Sequence, residues 1–126
     1  MARGVAGVAA GLVAWIVVAT GANIALRAAM PGYAVAETPM TFTLAMMFAR
    51  LLLGAASSVV AGAVTAWIAQ GNARAPWILG GVLVALFIPV HIGLWDKYPV
   101  WYHLTFLVSL LPFTLLGAAL DTRRSH

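Results

Sequence analysis

Four long apolar runs, at residues 5–26, 39–70, 76–95 and 99–120, take up most of this chain, and only short polar breaks separate them. At 1.5 Å per helical residue, each is long enough to cross the ~30 Å hydrocarbon layer of a bilayer. A chain that is 63% hydrophobic and 8% charged, with a mean hydropathy of +1.00, has too little polar surface to clothe a water-soluble globule of 126 residues. The expected fold is all-α: a single domain forming an integral membrane bundle of four transmembrane helices joined by short loops, with lipid as its solvent.

The first run also has features of a secretory signal, with a basic start and small residues at Ala19, Thr20 and Gly21. Its about 22 apolar residues exceed the ~7–15 of a signal core and match a span, so it is kept as a membrane helix. The chain has no cysteine, which excludes disulfides and thiolate metal sites.

The few charges can be followed one by one. Arg3, Arg27, Arg50, Arg74, Lys97, Arg123 and Arg124 stand against Glu37, Asp96 and Asp121, for a net charge of +4. The bases are scattered at the ends of apolar runs and form no patch, so they read as topology signals and not as a nucleic-acid surface. Arg3, Arg74, Arg123 and Arg124 fall on one side, Arg27 and Lys97 on the other, which places both termini in the cytoplasm. Trp67 and Trp77 then belong to the inner aromatic belt, and Trp95, Tyr98, Trp101 and Tyr102 to the outer one. Arginine outnumbers lysine and no long soluble segment is present, which points to a bacterial inner membrane.

Small residues mark two helix faces. Gly4, Gly7, Gly11, Ala14 and Gly21 recur at helical intervals in the first run and include Gly7-x-x-x-Gly11, a spacing that lets helix backbones approach closely in lipid. In the second run Arg50, Gly54, Ser58, Gly62 and Ala66 form an i, i+4 ridge that drifts by about 40° per step. Gly7, Gly11, Gly54, Ser58 and Gly62 are accordingly expected at helix contacts. If the ridge faces the bundle, Arg50 faces protein at its own level; the alternative is an arginine that snorkels to the interface.

Turn chemistry divides the runs. Pro31-Gly32 signals a turn, and Thr38-Pro39 predicts an N-cap followed by proline at the first helical position. As one helix, residues 39–70 would extend about 48 Å and must tilt, break or project. Residues 71–74 form a short polar turn. Pro89 and Pro112 free the carbonyls of Ala85 and Val108, so kinks are expected in the third and fourth helices.

Counting at 1.5 Å per residue puts Arg50 about 25 Å above Trp67 and His91 about 21 Å above Trp77, while His103 enters from the outer side to a similar level. The expectation is a polar layer of Arg50, His91 and His103 in the outer leaflet, with Asp96 or Glu37 just above to pair with Arg50, because intramembrane ionisable groups seek partners. Each histidine also reads as a neutral interfacial residue with one hydrogen bond. No cofactor is expected; the alternative is a metal or a b-type haem held between His91 and His103, although two ligands without a third make a thin metal site. No enzyme is expected, since Thr20, Ser57, Ser58, Thr65, Thr105, Ser109 and Thr114 have no base one turn away and no carboxylate lies inside a core span.

The chain is similar in length and helix number to small four-helix proton-coupled transporters, but their first helix carries a glutamate and this one has no acid. A fluoride-channel signature is missing too. Two functions remain: an accessory or assembly component that packs against itself or a larger membrane protein, or a small oligomeric transporter or channel whose polar layer lines a path.

Overall fold

The computed structural model describes residues 2–33, 43–70 and 72–124. These form four helices, α1 (Ala2–Ala29), α2 (Leu44–Ala69), α3 (Arg74–Gly93) and α4 (Val100–Arg124), with one 3₁₀ turn at Trp95–Lys97 and no strand among the described residues. All four are long and apolar enough to cross a membrane.

Each boundary has a local cause. Beyond α1, Pro31 and Gly32 occupy the central positions of a β-turn closed by the Tyr33 N–H donating to the Met30 carbonyl at 3.1 Å. Gly32 has φ of 81°, the left-handed conformation that the third position of a type II turn requires. That turn sends Tyr33 back into the bundle, where it is fully buried.

The start of α2 is capped by Thr43, whose Oγ1 accepts from the Met46 N–H at 3.3 Å. The cap expected at Thr38-Pro39 lies outside the described residues. The 26 residues of α2 extend about 39 Å instead of the ~48 Å expected of residues 39–70, and Arg50 sits about 9 Å along the axis from the first of them. Between α2 and α3, the Asn72 side chain accepts from the Arg74 N–H at 3.1 Å. Helix α3 ends at Gly93, two residues short of the expected Trp95, and the Leu94 N–H closes it on the Val90 carbonyl at 3.1 Å. Both α3 and α4 stay helical through Pro89 and Pro112.

Burial is inverted relative to a soluble protein. Ser57, Ser58, Thr65, His103 and Thr114 are fully buried, whereas Leu52 is 72% and Val108 69% exposed. Such an arrangement suits a solvent that cannot hydrogen-bond: polar side chains turn inward to find partners, and aliphatic ones meet acyl chains. Ser57 and Thr114 donate to the carbonyls one turn back, Leu53 and Leu110, each at 2.7 Å. Thr65 instead reaches across to the Gly7 carbonyl of α1 at 2.9 Å. Ser58 accepts from the Trp15 indole N–H at 3.1 Å while donating to the Gly54 carbonyl at 2.8 Å, which ties α1 to the middle of α2.

Helix α2 packs against α1 on one side and α4 on the other, and α3 closes the bundle mainly through α4. The small residues set how closely they approach. A methyl group at Gly7 would stand 2.9 Å from the Thr65 carbonyl oxygen, one at Gly11 3.1 Å from that of Ala61, and one at Gly54 2.8 Å from the Phe106 ring. At Gly62 it would overlap the Thr114 backbone, and at Gly117 that of Val59. Gly7-x-x-x-Gly11 is therefore used inside the chain, for α1 against α2. Gly21, on the same expected stripe, faces open space. Below that level Trp15, Ala61, Leu79, Leu83, Phe106 and Leu110 form one continuous core.

Overpacking of a tight helix contact typically costs about 1–3 kcal/mol. Gly62→Val and Gly117→Val should each lower the unfolding free energy by at least ~2 kcal/mol, measured by circular dichroism in detergent, because the obstacle is backbone and cannot rotate away. Gly21→Ala and Gly81→Ala, which meet nothing, should leave it unchanged or higher.

Candidate polar site at the distal end

Four segments converge at the end of the bundle opposite both termini: the last turns of α1, the Pro31-Gly32 turn, the first turns of α2, and the α3–α4 junction. Their side chains form one hydrogen-bonded array. Arg50 donates from Nη1 to the Tyr33 hydroxyl at 2.8 Å and from Nε to the Tyr102 hydroxyl at 3.2 Å. Tyr33 donates in turn to the Asn23 side-chain oxygen of α1 at 2.7 Å. The half-buried guanidinium thus has two phenolic acceptors, and hydrogen bonds to a charged group are the stronger kind.

Across Tyr102 lies the imidazole pair. His91 Nδ1 and His103 Nδ1 are 2.6 Å apart, and both residues are buried. His103 Nε2 lies 3.3 Å from the Trp95 carbonyl, which can only accept, so Nε2 carries a proton. With both rings neutral, His103 Nδ1 is then the bare nitrogen and His91 Nδ1–H is the donor; a main-chain carbonyl selects the tautomer of both rings. Aromatic rings hold the pair in place. Trp95 stacks on His103 at 4.6 Å and 9°, Tyr98 stacks on Tyr102 at 4.4 Å and 13°, and the His91 ring lies 4.8 Å from Phe106 and 6.1 Å from Tyr102.

Tyr102 stands between the guanidinium and the imidazoles: its hydroxyl accepts from Arg50, and its ring lies 6.1 Å from that of His91 and 6.0 Å from that of His103. Of the two acids expected to pair with Arg50, Asp96 is exposed on the 3₁₀ turn, while the described hydrogen bonds of the guanidinium go to two tyrosine hydroxyls. Glu37 lies outside the described residues. Tyr98 and Tyr102, expected in the outer belt beside Trp95 and Trp101, are 6% and 2% exposed and belong to the core. Tyr102 shares a helix face with Phe106 and Leu110, the spacing that could have shown this. Tyr33 and Asn23 were missed altogether. A tyrosine directly after a Pro-Gly turn can be returned to the bundle, but nothing in its neighbours says so.

Among the described residues no group of three or more histidines and acids converges to hold a metal ion. In this arrangement the two Nδ1 atoms serve each other, and a metal held by both at ~2.0–2.1 Å would have to push them apart first.

Beside the layer a cleft of about 430 Å³ opens among the four helices. Asn23, Arg27, Arg50 and Tyr102 line its polar part, and Trp15, Ile24, Leu53, Phe87 and Phe106 its apolar part. Its floor is aromatic, with the Phe87 ring 4.9 Å from Trp15 and 5.1 Å from Phe106. A second pocket, at the other end, is lined by Ala66, Asn72, Pro76, Leu115 and Ala118 and shares no residue with the first.

Removing an acceptor from a buried charged donor costs about 1–3 kcal/mol. Tyr102→Phe should lower the stability of the purified protein by that amount, and in an Arg50→Met background the same change should cost less than half as much, as a double-mutant cycle on thermal unfolding would read. Equal costs in both backgrounds would mean that the hydroxyl does not serve Arg50.

Compared with known protein families, curated proteins and solved structures, the chain finds no match, so its site is read from its own residues.

Proposed function

We propose that this chain is an accessory or assembly component of a bacterial inner membrane whose working part is the polar layer of Arg50, His91 and His103. The reading takes both termini as cytoplasmic, from the excess of arginine at that end, and the layer as external. It takes Pro89 and Pro112 as bends that help set the distal ends of α3 and α4.

The observation that carries it is the sealed core beneath the layer. Ala61, Leu79, Leu83 and Leu110 are buried between the distal cleft and the pocket at the other end. The hydroxyls buried alongside that core, Ser57, Ser58, Thr65 and Thr114, all donate to main-chain carbonyls, so among the described residues a single chain offers an ion no free polar path, and the layer serves binding or contact at one face. Transport by an oligomer is the second reading, favoured by the placement of Arg50 and Tyr102 on the cleft wall, where a neighbouring subunit could complete a path.

The chain has no cysteine, which makes topology directly measurable. Asp96→Cys should react with an impermeant maleimide from outside intact cells and Ala73→Cys only after permeabilisation. In liposomes the protein alone should pass no proton or ion current. A photo-crosslinker at exposed Trp101 should capture one membrane protein, the same one in a reciprocal experiment. Flux that disappears in Arg50→Gln or His91→Gln would overturn the accessory reading in favour of transport.

A further inference from the structure

We propose that the distal cleft binds an amphiphile with an oxyanion head, phosphate or carboxylate, and one alkyl chain, taken sideways from the surrounding leaflet. This goes beyond an accessory role and does not depend on it. Three observations carry the inference: the charge of the lining, the order of that lining along the helix axis, and the side on which the cleft opens.

Two arginines, Arg27 and Arg50, line the cleft together with the Asn23 amide and the Tyr102 hydroxyl, and no acid is among its described lining residues. Guanidinium groups and neutral donors suit an oxyanion, which a planar fork can bind with two parallel hydrogen bonds. A cation would find two guanidiniums and no carboxylate among the described lining residues.

The polar groups are not mixed with the apolar ones. Along α1, Arg27 stands about 18 Å nearer the distal end than Trp15, and Asn23 about 12 Å nearer. Arg50 is level with Asn23, since both bond the same Tyr33 hydroxyl. The aromatic floor of Trp15, Phe87 and Phe106 lies deepest. Head-to-tail order along the bilayer normal is that of a lipid standing in its leaflet, with the head near the interface and the chain toward the midplane. A soluble anion would use the upper end and leave the apolar remainder empty.

Thr20, Ile24 and Arg27 are cleft residues of α1 that are also exposed on its outer surface, so the cleft opens toward lipid along that edge. The volume of about 430 Å³ is near the lower end of the ~300–1,000 Å³ of small-molecule pockets, enough for a head and one chain but not for a lipid with two.

Native mass spectrometry of the full chain in an uncharged maltoside detergent tests this with three probes: dodecyl phosphate, dodecanol and inorganic phosphate. Dodecyl phosphate should form a one-to-one complex, dodecanol should bind at least tenfold more weakly, and inorganic phosphate should form none. Arg27→Gln, which removes an exposed charge from the cleft wall, and Ala19→Phe, which fills that wall, should each weaken dodecyl phosphate at least tenfold while circular dichroism and elution volume stay unchanged. Dodecanol binding as tightly as dodecyl phosphate would overturn the inference. So would inorganic phosphate binding as tightly, which would make this a site for a free anion, or an affinity unmoved by both substitutions. Capture of a protein partner without dodecyl phosphate binding would sink this inference and leave the accessory role standing.

Discussion

Helices in lipid gain nothing by hiding apolar side chains from one another, because acyl chains are as apolar as leucine; what holds them together is contact. In this chain the contact is between backbones. Gly7 and Gly11 bring α1 onto α2, and Gly62 and Gly117 let α2 and α4 approach until a single added methyl would collide with a carbonyl. At that range Thr65 can reach the Gly7 carbonyl, and Ser58 can receive the Trp15 indole. The polar interior follows from the small residues, since hydroxyls serve a neighbouring helix only when it is close.

The distal layer is the other half of the same logic. A guanidinium drawn partly into the bundle needs acceptors, and Arg50 finds the hydroxyls of Tyr33 and Tyr102. Phenols suit such a place because each brings a large ring to fill the core and one hydroxyl to meet the charge. Because Tyr33 bonds onward to Asn23, and Tyr102 packs against the histidine pair, one charge links the Pro-Gly turn, α1, α2 and the α3–α4 junction. With neutral rings, the Trp95 carbonyl sets one imidazole tautomer and that tautomer sets the other.

Tight packing below and the polar array above frame the cleft: Asn23, Arg27, Arg50 and Tyr102 line its distal part, and Trp15, Phe87 and Phe106 its floor.

Much of this was readable from residues alone. Run length and hydropathy specified four helices long enough to cross a membrane, because a backbone in lipid must satisfy its own hydrogen bonds and a helix does so locally. The Pro31-Gly32 turn was equally legible, since proline and glycine restrict or free the backbone wherever they occur. Residue counting pointed to one end of the bundle for Arg50, His91 and His103, as rise per residue is constant in a helix, and Tyr102 touches all three there. Rotation about the helix axis was not legible. It decided that Tyr98 and Tyr102 turn inward, that Asp96 stays outside, that Gly11 meets α2 while Gly21 meets nothing, and that Tyr33 and Asn23 join the site. Depth is a property of one helix and its solvent, whereas facing depends on neighbours from distant parts of the chain, and only their packing together could settle it.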